Sequence, residues 1–158
     1  MSVTAMQADR VTRTGVAGLV TQAFDLAGRF PDALLLLAAR VGVGLVFFKS
    51  GLTKIATWDN TLELFATEYH VPLLPTELAA YMGTAAELIC PWLLFLGLGA
   101  RFGAAALLGM TLVIQTFVYP LNYAEHLTWA VLLLLVLTRG AGALSADHLI
   151  RRQLAGNR

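Results

Sequence analysis

Thiol pairs, histidine clusters and charge are what this sequence has little of. Its one cysteine, Cys90, leaves disulfide exchange without a second thiol in the chain. Beside Pro91 in an apolar run, it reads as a small core residue. The three histidines are scattered at positions 70, 126 and 148, so no pair is placed to ligate an intramembrane haem, zinc or copper. No metal site is therefore expected; His70 and His126, near Glu68 and Glu125, are only weak candidates for a surface site. No flavin-binding motif is present, and a net charge of +1 with no concentrated basic patch argues against nucleic acid as a partner.

Only 13% of the residues are charged while 58% are hydrophobic, and the mean hydropathy is +0.70, a balance that excludes an ordinary soluble domain. The apolar residues form four runs, 33–56, 77–100, 102–119 and 123–139, each near the roughly 17 to 25 residues that cross a hydrocarbon core. The expected fold class is all-α, an integral membrane four-helix bundle spanning residues 33–139. An N-terminal segment, 1–32, precedes it and a tail, 140–158, follows.

Short loops rich in Lys and Arg stay in the cytoplasm. Arg10, Arg13 and Arg29 precede the first run, Arg101 lies between the second and third, and Arg139, Arg151, Arg152 and Arg158 follow the fourth. Asp59, Glu63, Glu68 and Glu125 fall on the opposite side. A multi-pass protein of the bacterial inner membrane with both termini cytoplasmic is the expectation, and residues 140–158 form a cytoplasmic tail. The first 32 residues lack an apolar core near a small-residue cleavage site, so the first run is expected to serve as its own insertion signal. Val16, Leu19, Val20, Ala23, Phe24, Ala27 and Phe30 recur at helical spacing and predict an amphipathic helix on the inner surface of the bilayer. Between the first two runs, Leu62, Phe65, Ala66 and Tyr69 share one face of a short external interfacial helix. Asp59 or Asn60 can cap it, and Pro72 and Pro75 end it.

Ionisable side chains at membrane depth are costly and face an interior, a cavity or a partner. Eleven Leu, Val and Phe residues lie between Leu34 and Leu52, each contributing roughly 0.3 to 0.6 kcal/mol to insertion. Arg40 and Lys49 oppose them at roughly 2.5 to 3.5 kcal/mol each, so this helix needs polar partners. At 100° per residue Arg40, Gly44, Phe47, Gly51 and Lys54 share one stripe. Lys49 points the other way, to snorkel outward or to meet another subunit of a homo-oligomer. Depth reckoning places Glu87, in the second run, within reach of either cation; the glycine stripe favours Arg40 as its partner.

The run Arg40-x3-Gly44-x2-Phe47-x3-Gly51-x2-Lys54, then Glu87 followed by Leu96-Gly97-Leu98 and Arg101, then the tail Arg139-Gly140-Ala141-Gly142-Ala143-Leu144-Ser145-x-Asp147, together resemble the DoxX family of small four-helix bacterial membrane proteins. The resemblance covers about residues 33 to 150, with Ala141 where many members have Pro. It marks Lys54, Arg101, Gly142, Ser145 and Asp147 as motif positions of structural weight. It implies membrane redox processes, including quinone-linked thiosulfate oxidation and oxidative-stress complexes. The loop from Trp58 to Pro75 is also similar to a branch encoded near metal-stress and metallophore-type proteins, which suggests a redox or metal-stress partner. Within that frame the polar groups at depth, Arg40, Glu87, Gln115 and Thr111, with Tyr81, Tyr119 and Trp129 nearer the outer boundary, suit a quinone headgroup. Arg40 would stabilise the reduced oxygen and Glu87 would exchange a proton, in a pocket beside Gly44, Phe47 and Gly51. No intrinsic cofactor is expected beyond such a quinone. The alternatives are a non-catalytic membrane anchor for a redox or metal-handling partner, and a small-solute transporter.

Overall fold

The computed structural model describes residues 16–69 and 71–156. Arg10, Arg13, His70 and Arg158 lie outside them. Among the described residues all regular structure is helical, and the chain divides into two units, 1–32 and 33–158. The first unit holds α1 (Val16–Gly28), in which Leu19, Val20, Phe24 and Leu26 are exposed.

In the second unit three helices are long and apolar enough to cross a membrane, at Asp32–Ala56, Thr76–Leu96 and Ala100–Val118. The first is α2 (Asp32–Ala56), with Asp32 in its first turn and Lys54 in its last, each charge complementing the helix dipole. The chain then reverses into α3 (Trp58–Leu64), which continues as a π-helical turn, Phe65–Tyr69. Its N-cap position is Thr57, not Asp59 or Asn60, and no side chain caps it. The reason is that the Thr61 hydroxyl bonds back to the carbonyls of Lys54 at 3.0 Å and Thr57 at 3.1 Å, tying the turn down immediately after α2.

The second run folds as α4 (Thr76–Leu96), ending four residues short of the expected limit at residue 100. Gly97 adopts φ +63° and Gly99 φ +58°, a left-handed conformation that only glycine enters without penalty. Gly97 N–H donates to Leu94 O (3.2 Å) and Leu98 N–H to Leu93 O (3.1 Å), which satisfies the last carbonyls of α4. Next comes α5 (Ala100–Val113), extended by a second π-helical turn, Ile114–Val118, closed by Tyr119 N–H donating to Ile114 O at 2.8 Å. The fourth run is α6 (Tyr123–Arg139), whose 17 residues sit at the lower limit for crossing hydrocarbon. Residues 140–158, read from sequence as a plain tail, contain α7 (Ala146–Gly156).

Small residues let the helices approach. Ala100 and Ala104 are fully buried, and a Cβ on Gly103 would stand 3.0 Å from the Cys90 carbonyl, the close backbone packing typical of membrane helices. Val43, Phe47, Leu94, Leu107, Leu133 and Val136 fill the space between α2, α4, α5 and α6. Outward-facing Ile89, Trp92, Phe102, Leu112, Val131 and Leu134 stay exposed.

One end of this core is locked by the motif residues. Arg40 is 1% exposed; its guanidinium donates to Leu94 O at 3.1 Å and to Leu144 O. Asp147 accepts from Gly99 N–H at 2.9 Å, and its own N–H donates to Gly97 O at 3.0 Å. Ser145 caps α7 by accepting from His148 N–H at 3.2 Å, while its hydroxyl donates to Gly142 O at 2.6 Å. Arg101 donates to Thr138 O at 3.1 Å and lies against Gly140. The tail is thereby strapped to the end of α4 through one buried guanidinium.

A Cβ on Gly97 would collide with Arg40 and Ser145. A left-handed Cβ costs roughly 1 to 2 kcal/mol and overpacking roughly 1 to 3 kcal/mol. Gly97→Ala is therefore expected to lower the unfolding free energy in detergent by at least about 2 kcal/mol. Gly109→Ala, where the space is open, should be nearly neutral, and equal effects at the two sites would contradict the strap.

Candidate functional site

At the other end of the core, Lys54 Nζ stands 2.6 Å from Glu87 Oε2 and 2.8 Å from Oε1. Both side chains are nearly buried, at 13% and 5% exposed. Ser50, one turn back on α2, accepts from Lys54 at 2.9 Å and donates to Glu87 at 3.2 Å. The ammonium's three protons and the carboxylate are thus satisfied within a closed triad, the condition under which a buried ion pair is tolerated.

The expected Arg40–Glu87 pair is corrected here: Glu87 pairs with Lys54, and Arg40 is occupied with main-chain carbonyls at the opposite end. Helical side chains lean toward the N-terminus of their own helix. Arg40 and Lys54 both lean toward the start of α2, Arg40 away from Glu87 and Lys54 toward it. Glu87, on the antiparallel α4, leans toward the start of α4 and so meets Lys54. Gly51 makes the approach possible, since a Cβ there would lie 2.9 Å from Leu88 and 3.1 Å from Glu87 Cβ.

The triad opens onto a cavity of about 450 Å³. Apolar side chains form most of its wall, among them Val46, Phe47, Ala86, Met110 and Val113, and the π-helical turn of Phe65 and Tyr69 closes over it with Ile114 and Val118. Trp129 lines it too and meets Phe47 edge-on at 5.3 Å. At the mouth Tyr119 donates to Glu68 at 2.6 Å and stacks edge-on against Tyr69 at 5.8 Å. Burial pushes both phenols above their ordinary pKa, so both stay protonated.

Of the residues expected to form the pocket, Phe47 and Glu87 line it. Gly44 faces Phe95, where a Cβ would come within 2.6 Å of the ring; it serves α2–α4 packing and does not open the cavity. Gly51 lies behind Glu87, and Arg40 belongs to the strap. Gln115 reaches the site through His126, whose Nδ1 is 2.7 Å from Gln115 Oε1. Thr111 is self-satisfied, donating to Leu107 O at 2.8 Å. Lys49 is exposed and Cys90 half-buried. His126 is buried, and among the described residues no group of three His, Cys, Asp or Glu side chains is placed to hold a metal. Among the cavity residues that sequence reasoning missed are Lys54 as the ion-pair partner, Ser50, His126 and Ala86. Lys54 and Ser50 carried a signal, because Lys54 shares the Gly51 stripe and Ser50 lies four residues before it.

Removing one member of a buried pair costs roughly 3 to 5 kcal/mol, whereas removing both can be close to neutral. Lys54→Met and Glu87→Leu should therefore each destabilise the protein in detergent more than the double variant does. Arg40→Leu combined with Glu87→Leu should be additive, as expected for sites without shared partners. Coupling between Arg40 and Glu87 in such a cycle would contradict the assignment.

The family profile of DoxX matches residues 35–120, more than half of the chain. A Haemophilus influenzae (strain ATCC 51907 / DSM 11121 / KW20 / Rd) protein described as "Uncharacterized protein" is 32% identical over 132 residues, covering 74% of this chain and 83% of the relative. No solved structure matches the chain. With the helices long and apolar enough to span a bilayer, these matches place the chain in the DoxX family of membrane proteins.

Proposed function

We propose that this DoxX-family chain is a four-helix protein of the bacterial inner membrane, with both termini cytoplasmic, and that it binds a quinone-type ring in its cavity as the membrane subunit of a redox system. The observation that carries this reading is a buried, fully bonded Lys54–Glu87 pair at the wall of a mostly apolar cavity of about 450 Å³. Such a cavity is of ligand size, with apolar walls and a few convergent polar groups. The ring fits this lining: Phe47, Trp129, Phe65 and Tyr69 offer aromatic faces, and the triad offers one charged pole.

A bound quinone would supply the two-electron chemistry that these side chains lack. Lys54 can turn one N–H from Ser50 to a ligand oxygen while its other protons keep Glu87 in place, so the ammonium stabilises negative charge without being left unpaired. Glu87 is the group able to take up or release a proton beside that oxygen. The role first given to Arg40 thus passes to Lys54. Electrons come from a partner protein, since Cys90 has no second thiol; a redox or metal-stress protein is the kind of partner this reading calls for. In this arrangement α7 lies at the cytoplasmic surface and α3 lies on the outer one.

Two experiments test this. Ala86→Phe places a ring's volume in the cavity wall and should abolish quinone binding by the purified protein, while Lys49→Met, on the outer face, should leave it unchanged. Unaltered binding in Ala86→Phe would contradict the pocket, and a wild-type protein that binds no quinone would favour a non-catalytic anchor for the partner. Reporter fusions after Arg101 and at Gly156 should be cytoplasmic and one at Glu63 external. An external Gly156 would contradict the four-helix arrangement.

A further inference from the structure

We propose that His126 presents a hydrogen-bond acceptor to one oxygen of the ring and makes the cavity selective for the reduced, hydroxyl-bearing form over the quinone. This rests on the quinone reading of the same cavity and specifies which member of the redox couple it holds. His126, on α6, is 3% exposed and lines the cavity beside Trp129, with ring centroids 5.1 Å apart.

Its tautomer follows from one side-chain amide. The Gln115 Nε2 stands 2.7 Å from the carbonyl oxygen of Pro120. A carbonyl oxygen can only accept, so the amide NH2 must face it, and turning the amide over would set two oxygens against each other. Gln115 Oε1 is thereby aimed at His126 Nδ1, 2.7 Å away. An amide oxygen cannot donate, so Nδ1 carries the proton. In the neutral imidazole Nε2 then holds a lone pair and no hydrogen. The π-helical turn Ile114–Val118 is the device that sets this up: it closes five residues on, with Tyr119 N–H on Ile114 O at 2.8 Å, and the Pro120 carbonyl that follows it receives the Gln115 amide. Such turns recur where a helix is bent to a functional purpose.

Lys54 can serve one ring oxygen in either redox state, so the discrimination falls on the other oxygen, which meets His126; Tyr119, a second donor on the wall, already donates to Glu68. A ring hydroxyl can donate to His126 Nε2, whereas a quinone carbonyl would bring a second lone pair against it. One neutral hydrogen bond contributes about 1 kcal/mol, so a preference of about fivefold to tenfold for the hydroquinone is expected.

The test uses the full-length protein in lipid nanodiscs, with a decyl-tailed benzoquinone and its hydroquinone, the latter kept anaerobic, as the two probes. Wild type should bind the hydroquinone about fivefold to tenfold more tightly. His126→Phe should lose that advantage and leave quinone affinity nearly unchanged. Gln115→Leu frees the imidazole to place its proton on Nε2, so the preference should shrink or reverse; a merely structural loss would weaken both probes alike. Nitrogen chemical shifts of the His126 ring in the protein without probe, assigned by difference from His126→Phe, should show a protonated Nδ1 and a bare Nε2. A protonated Nε2, or equal loss of both probes in His126→Phe, would overturn the assignment and leave the cavity reading standing. Failure of wild type to bind either probe would overturn the cavity reading itself.

Discussion

An ammonium and a carboxylate drawn together in an apolar interior constrain everything around them. Lys54 and Glu87 cannot be separated without leaving a charge unpaired, so α2 and α4 must stay close at this level. Gly51 removes the side chain that would hold them apart, and Ser50 supplies the remaining hydrogen bonds. In the proposed quinone reading the pair also marks where the ligand sits, since among the described residues it is where oppositely charged groups meet on the cavity wall, with hydrogen-bonding capacity exchangeable among three side chains.

The two ends of the core do different work. At one, the Arg40 guanidinium, the positive-φ glycines at 97, 99, 140 and 142, the Ser145 cap and the Asp147 bonds form a strap of main-chain contacts. At the other, α3 and two π-helical turns enclose about 450 Å³. A π turn widens the backbone and leaves ordinary i to i+4 bonding unmade; here the two turns face each other across the mouth, joined by the Tyr69–Tyr119 contact.

Much of this was legible in the sequence. The apolar runs marked the long helices, and the charges inside them marked Arg40 and Glu87 as buried groups. The partner of Glu87 was not legible from depth alone, because rise per residue locates Cα atoms while a lysine stem spans a full turn and leans toward the helix start. Gly44 and Gly51 looked alike in the stripe, yet Gly44 makes room for Phe95 and only Gly51 for the ion pair. The helix stop at Leu96 was hidden because Gly97 and Gly99 occur in an apolar context that continues to Ala100. Gln115 was legible as a polar group at depth, but its link to His126 depends on the π turn, which no periodicity announces.

The central claim is that a ring ligand occupies the cavity beside the Lys54–Glu87 pair. Trp129 lines that cavity, whereas Trp58 and Trp92 do not. With Trp58→Phe and Trp92→Phe in place, titration of a short-tailed quinone should quench the remaining indole saturably, and Ala86→Phe should remove the saturable component. Quenching that rises linearly with quinone, identical in the two proteins, would mean that the ring only partitions into lipid and would contradict the account.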